Sequence, residues 1–136
     1  MKYIVFMLLL ISSNSEARGN MVEAKDIIEK LNLVPLPEEG GYYRETYRAT
    51  NQRLAARSFG INSDSDRSVS TGIYYLVVPE SFSALHKVKS DEMFHFYSGD
   101  PVEMIQIDES GNLRKFIIGP DVMNGHSPQV LVPRGV

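Results

Sequence analysis

The chain has 136 residues and a mass of 15.3 kDa, room for one domain, since domains occupy roughly 100 to 200 residues. A hydrophobic share of 43% against 23% charged residues supplies enough apolar material for a core and excludes a mainly disordered chain. The formal net charge of -3, the pI near 5.6 and the lack of a Lys/Arg cluster argue against a nucleic-acid partner, whose phosphates would need neutralising.

The chain opens on "MKYIVFMLLLISSNSEARG", with Lys2 followed by the apolar run Tyr3 to Ile11 and then a polar segment. There Ser15 and Ala17 fit the small-x-small pattern of signal-peptide cleavage. The apolar run spans only about 14 Å as a helix, against a hydrocarbon core of about 30 Å, so export with removal of residues 1–17 is expected rather than a membrane anchor. The expected location is therefore secreted or in the secretory pathway, with the cytoplasm as the alternative. The sequence holds no cysteine, so folding needs no oxidising compartment.

Residues 21–136 read as the folded domain. "MVEAKDIIEKLNL" sets Ala24, Ile27, Ile28 and Leu31 at i, i+3, i+4 and i+7, one stripe of a short amphipathic helix that covers an edge or opening of a sheet. "PLPEEGG" ends it, with Glu38 and Glu39 read as solvated turn residues. Strands are expected at "GYYRETYRA", "STGIYYLVV", "SALHKVK", "EMFHFYS", "VEMIQID", "LRKFIIG" and "PQVLV", each short, rich in β-branched and aromatic residues and bounded by turn residues. Many short strands in succession predict an all-β sandwich or barrel. The polar stretch Ala49 to Val69 is expected to be irregular, a loop or lid.

The chemistry concentrates in "ALHKVKSDEMFHFYSGDP", Ala84 to Pro101, expected to form a hairpin that turns at Ser90 and Asp91. Residues two apart on a strand share a face, so Ala84, His86 and Val88 form one set and Glu92, Phe94 and Phe96 another. Inward-facing sets would bring His86 and Glu92 together as the candidate catalytic and binding pair, with a purely structural buried pair as the alternative. His95 alternates out of phase with Glu92, and a bulge would be needed to turn it into the same site. In "GYYRETYR", Tyr43, Glu45 and Tyr47 share one face, and Tyr42, Arg44 and Arg48 the other. Arg44 is either a surface charge or a planar fork for an anionic or carbonyl-bearing ligand, with Tyr43 or Tyr75 packed beside it. The ligand-binding candidates are accordingly Tyr43, Arg44, Glu45, Tyr75, His86, Glu92 and His95. His126, in "MNGHSP", reads as an exposed turn residue.

The spacing of His86, Val88, Glu92 and Gly99 resembles the first motif of the cupin superfamily, G-x5-H-x-H-x3/4-E-x6-G, with Glu80 at the first Gly and Val88 at the second His. Metal-binding cupins use both His and the Glu; Val88 offers no donor, and two ligands do not make a stable site, so no metal and no cofactor are expected. Four segments in order, "PEEGGYYRETYR", "STGIYYLV", "LHKVKSDEMFHFYSGDP" and "VLVPRG", are similar to those of the fifth cupin family, a domain of unknown function, over Leu33 to Gly135. In that family Val is usual at the position of Val88, whereas Leu36 stands where a His is common. The resemblance implies an all-β jelly-roll barrel of the cupin type with one short N-terminal helix, a homodimer in its complete form, and further C-terminal strands that this sequence lacks. It also implies that a small polar, sugar- or carbonyl-like molecule binds in the barrel.

A remoter likeness, to the dTDP-sugar 3,5-epimerases, rests on "GGYYRE" and "ALHKV" and would make His86 a metal-independent general base, while the Asp and Tyr partners of those enzymes have no match here. A truncated product without independent activity is the remaining alternative.

Overall fold

The computed structural model describes residues 23–50, 53–55 and 66–136. The proposed signal segment and residues 56–65 of the expected loop lie outside them. The described chain is β-rich with one short helix, α1 (Ala24–Leu31). Asp26 in its first turn and Lys30 in its last complement the helix dipole. Asn32, in the left-handed conformation, ends it by donating its backbone N–H to the carbonyls of Glu29 and Ile28.

Strands β1 (Val34–Pro35), β2 (Tyr42–Arg48) and β5 (Thr71–Leu76) form an antiparallel sheet in the order β1-β2-β5. Its alternation divides the core. Tyr75 and Val77 are buried on one face with Leu36, Tyr43, Ile73, Phe94, Phe96 and Val102. Leu76, fully buried, points to the other face and packs with Leu33 and Ile27 of the helix, joined by Tyr42 and Tyr74. The predicted stripe Ala24, Ile27, Ile28 and Leu31 is the helix face that covers this side of the sheet.

Three more antiparallel pairs complete the described structure. They are β3 (Arg53–Ala55) with β4 (Asp66–Ser68), β6 (Glu92–His95) with β9 (Gln129–Val132), and β7 (Val102–Ile107) with β8 (Leu113–Ile118). A single parallel bridge, Ile118 to Ser127, ties β8 to the approach to β9.

Three local features depart from the sequence reading. The stretch from Ala49 to Val69, expected to be irregular, contains the β3–β4 ladder, and its base is closed by Ala49 N–H donating to Ser70 O and Ser68 Oγ to Ala49 O. The segment "SALHKVK" is no strand and forms no hairpin with β6, whose only described ladder partner is β9. Its backbone is tethered at two points: Ala84 N–H donates to Glu39 O, and Val88 exchanges hydrogen bonds with Gly135 and Val136. Finally, β2 carries a register shift between Glu45 and Tyr47. Thr46, the extra residue, donates its hydroxyl to Gly72 O, and the bend lets Glu45 meet Arg48 in an exposed two-point ion pair, although simple alternation puts them on opposite faces.

Candidate functional site

The turn between β1 and β2 does more than reverse the chain. Gly40 N–H donates to Leu36 O and Leu36 N–H to Gly41 O, closing the turn on itself. Three further bonds hold it against residues 75–84: Tyr75 Oη donates to Gly40 O (2.8 Å), Gly41 N–H to Ser81 Oγ (2.9 Å), and Ala84 N–H to Glu39 O (2.7 Å). Gly41 sits at φ 72 with its α-carbon against the Tyr75 ring, where a β-carbon would come within 2.6 Å of a ring atom. The paired glycines of "PEEGGYY" are thus what lets the turn lie on the segment that carries His86.

This clamp sets His86 beside Glu39. Nδ1 of His86 donates to Ala84 O at 2.7 Å, since a carbonyl only accepts, and Nε2 lies 3.6 Å from the Glu39 carboxylate. The His86 side chain keeps 32% of its surface exposed, so the pair is accessible. Glu92 enters from the start of β6, partly buried. Burial pushes its carboxyl pKa up, the nearby His86 counteracts this, and Glu39 adds to the rise. His86, Glu39 and Glu92 therefore form one electrostatic cluster, fed by three separate pieces of chain.

His86 and Glu92 both line a cavity of about 710 Å³. Its walls are otherwise largely apolar, including Val77, Phe94, Val102, Met104, Ile118 and Val132. Its lining takes in the 82–88 segment and β7, and the space is an open trough rather than a closed chamber.

The other sequence candidates lie elsewhere. Tyr75 is buried in the core under the trough, its hydroxyl engaged by Gly40 and its pKa raised chiefly by burial. Tyr43 packs beside it in the same cluster. Arg44 is on the opposite face of the sheet, its guanidinium 5.4 Å from the centre of the Tyr74 ring, and Glu45 is held by Arg48. His95 faces away from Glu92, as strand alternation requires: it accepts from Gln129 Nε2 at 3.2 Å and stacks on Tyr97, and burial lowers its pKa. His126 belongs to the 121–126 turn, where its Nδ1 accepts from Asp121 N–H.

Glu39 is the member of the cluster that sequence reasoning missed, having been read with Glu38 as a solvated turn residue. Its signal was indirect: a carboxylate next to two glycines has a role only once the turn is known to fold onto a second segment.

The residues do not suit a metal. Val88 at the second ligand position is buried, with both backbone groups bonded to the 135–136 segment. Among the described residues no group of three or more His, Cys, Asp or Glu side chains is arranged to hold an ion. No helix of the described residues is long and apolar enough to cross a membrane.

Comparison with known proteins agrees with this architecture. The uncharacterized protein YML079W of Saccharomyces cerevisiae is 30% identical over 103 residues, which are 72% of this chain and 51% of that protein. A hypothetical protein from Leishmania major superposes with a TM-score of 0.71 at 33% identity, covering 82% of this chain and 65% of its own. Protein SO0799 from Shewanella oneidensis gives a TM-score of 0.70 at 32% identity, over 85% and 66%. The chain thus spans about half the length of the curated relative and just under two thirds of these solved structures. The family model described as "Cupin superfamily (DUF985)" matches residues 25–136, nearly the whole described structure, and the chain belongs to that family.

Proposed function

We propose that this cupin binds a small polar molecule, sugar- or carbonyl-like, in the trough, with His86 and Glu92 as its polar anchors. One observation carries this reading: an imidazole and a partly buried carboxyl converge on a cavity of about 710 Å³ whose other walls are largely apolar. Sites for small ligands combine such an apolar enclosure with few convergent polar groups, and the volume suits a ligand of monosaccharide size or somewhat larger.

The test is direct. Native mass spectrometry of gently purified protein reports any co-purified small molecule, and titration calorimetry with neutral monosaccharides, glucose first, measures affinity. His86→Ala and Glu92→Ala should each weaken binding about tenfold or more while the circular dichroism spectrum stays unchanged, the usual effect of removing a charge-assisted hydrogen bond. Binding of equal strength in the wild type and both variants, or no binding and no co-purified molecule, would defeat this reading.

A second reading, isomerase or epimerase chemistry without a metal, draws support from the tautomer of His86. With Nδ1–H committed to Ala84 O, Nε2 is the nitrogen that takes a proton from carbon next to a carbonyl. Deuterium exchange from solvent into dihydroxyacetone or fructose, followed by NMR, tests it; exchange that persists in His86→Gln removes His86 from the chemistry.

A further inference from the structure

We infer that the trough selects neutral or cationic ligands rich in hydrogen-bond donors, such as polyols and amino sugars, and rejects phosphorylated or carboxylated ones, with Glu39 as a specificity-determining third group. This rests on the proposed small-molecule reading and narrows it.

The inference comes from the signs of the groups around the space. The titratable side chains among its described lining residues are His86, Lys87, Glu92, Glu103, Asp108 and Glu109. Lys87, the single cation other than histidine among these lining residues, is bonded at 3.2 Å to Glu109. Glu103 is likewise paired, at 3.2 Å, with Lys115 on β8. Asp108 is held ionised by its hydrogen bonds from Asn112 and Ser110, with Arg114 nearby. That leaves Glu92 and Asp108 in the wall, while Glu39, outside the lining itself, lies 3.6 Å from Nε2 of the lining His86. Among the described lining residues, an anionic ligand would meet carboxylates without a free lysine or arginine to offset them.

A second observation points the same way. Arg44, the residue whose fork suits a phosphate or carboxylate, is turned to the far face of the sheet and lies over Tyr74. Carboxylates, by contrast, accept hydrogen bonds from hydroxyl and ammonium groups and bind a cation more strongly than a neutral donor. The trough is likewise unsuited to nucleotide-linked sugars, whose diphosphate is doubly charged.

Three related probes on the full chain decide it: glucose, glucosamine and glucose 6-phosphate, titrated at neutral pH and low salt. The expected order is glucosamine tightest, glucose next and glucose 6-phosphate weakest, with about tenfold or more between the extremes. Glu39→Gln should reduce the preference for glucosamine over glucose severalfold, with the melting temperature near that of the wild type. Glucose 6-phosphate binding as tightly as glucose or more tightly overturns the inference and leaves the small-molecule reading standing. An undiminished glucosamine preference in Glu39→Gln overturns the role of Glu39. If all three probes fail to bind, this inference falls, and with no co-purified molecule the small-molecule reading falls as well.

Discussion

At the scale of single residues, the chemistry turns on how burial and charge divide among three acid–base groups. Glu92 is partly buried, and desolvation disfavours its charged form more than His86 restores it. The consequence for stability has a definite sign. Below its ordinary value of 4.5 the carboxyl is protonated in folded and unfolded chains alike. As pH rises, the unfolded chain ionises first, so the folded state loses stability up to its own raised pKa. Glu92→Gln should therefore melt higher than the wild type at pH 7, and the difference should vanish near about pH 4. Differential scanning calorimetry at the two pH values checks this. A variant that melts lower by the same margin at both would mean that Glu92 stabilises through packing or hydrogen bonds and that its ionisation is unimportant.

At the scale of elements, the 37–41 turn is the piece on which the site depends, because its hydrogen bonds to Tyr75, Ser81 and Ala84 place Glu39 next to His86. Gly41→Ala tests that dependence. A left-handed backbone costs a non-glycine residue about 1–2 kcal/mol, and forcing a methyl against the Tyr75 ring adds overpacking of about 1–3 kcal/mol. Gly111→Ala is the control, since it shares a positive φ of 82 but has open space around it, and it should show only the backbone part. Denaturant titration of both variants separates the two, and equal losses would show that the contact with Tyr75 is immaterial.

Much of this element-level order was legible in the sequence. The helix stripe, most of the strands and the separation of His95 from Glu92 follow from periods of 3.6 and 2 that local sequence carries. The features that were not legible all depend on partners distant in the chain. Residues 82–88 have the composition of a strand yet find no ladder, and are held instead by hydrogen bonds to Glu39, Gly135 and Val136, all distant in the chain. Arg53–Ala55 and Asp66–Ser68 are three residues each and pattern-poor, and become strands by pairing with each other. Glu45 and Arg48 meet only because of a bulge, which leaves no reliable trace in side-chain alternation.

At the scale of the whole molecule, the trough imposes a tension between access and solubility. Its 82–88 wall places Phe82 and Leu85 in solvent at 70% and 75% exposure, and Ile105 and Ile107 on the facing strand are also exposed. Four large apolar side chains along one opening form a patch of a kind that soluble chains rarely leave uncovered. In the 136-residue chain this surface should bind a hydrophobic dye such as anilinonaphthalene sulfonate in native buffer, well below any denaturing condition. Replacing Phe82 and Leu85 together by Ser should reduce that fluorescence and raise solubility. Because neither side chain is buried, the melting temperature should change little, in line with the roughly 0.5 kcal/mol usual for surface substitutions. By contrast, Leu76→Ala, at a position with 0% exposure between sheet and helix, should cost about 2–5 kcal/mol. If the Phe82/Leu85 double variant loses stability on the Leu76 scale with no change in dye binding, those two residues are core in solution. The trough would then be closed, and access to His86 would require it to open.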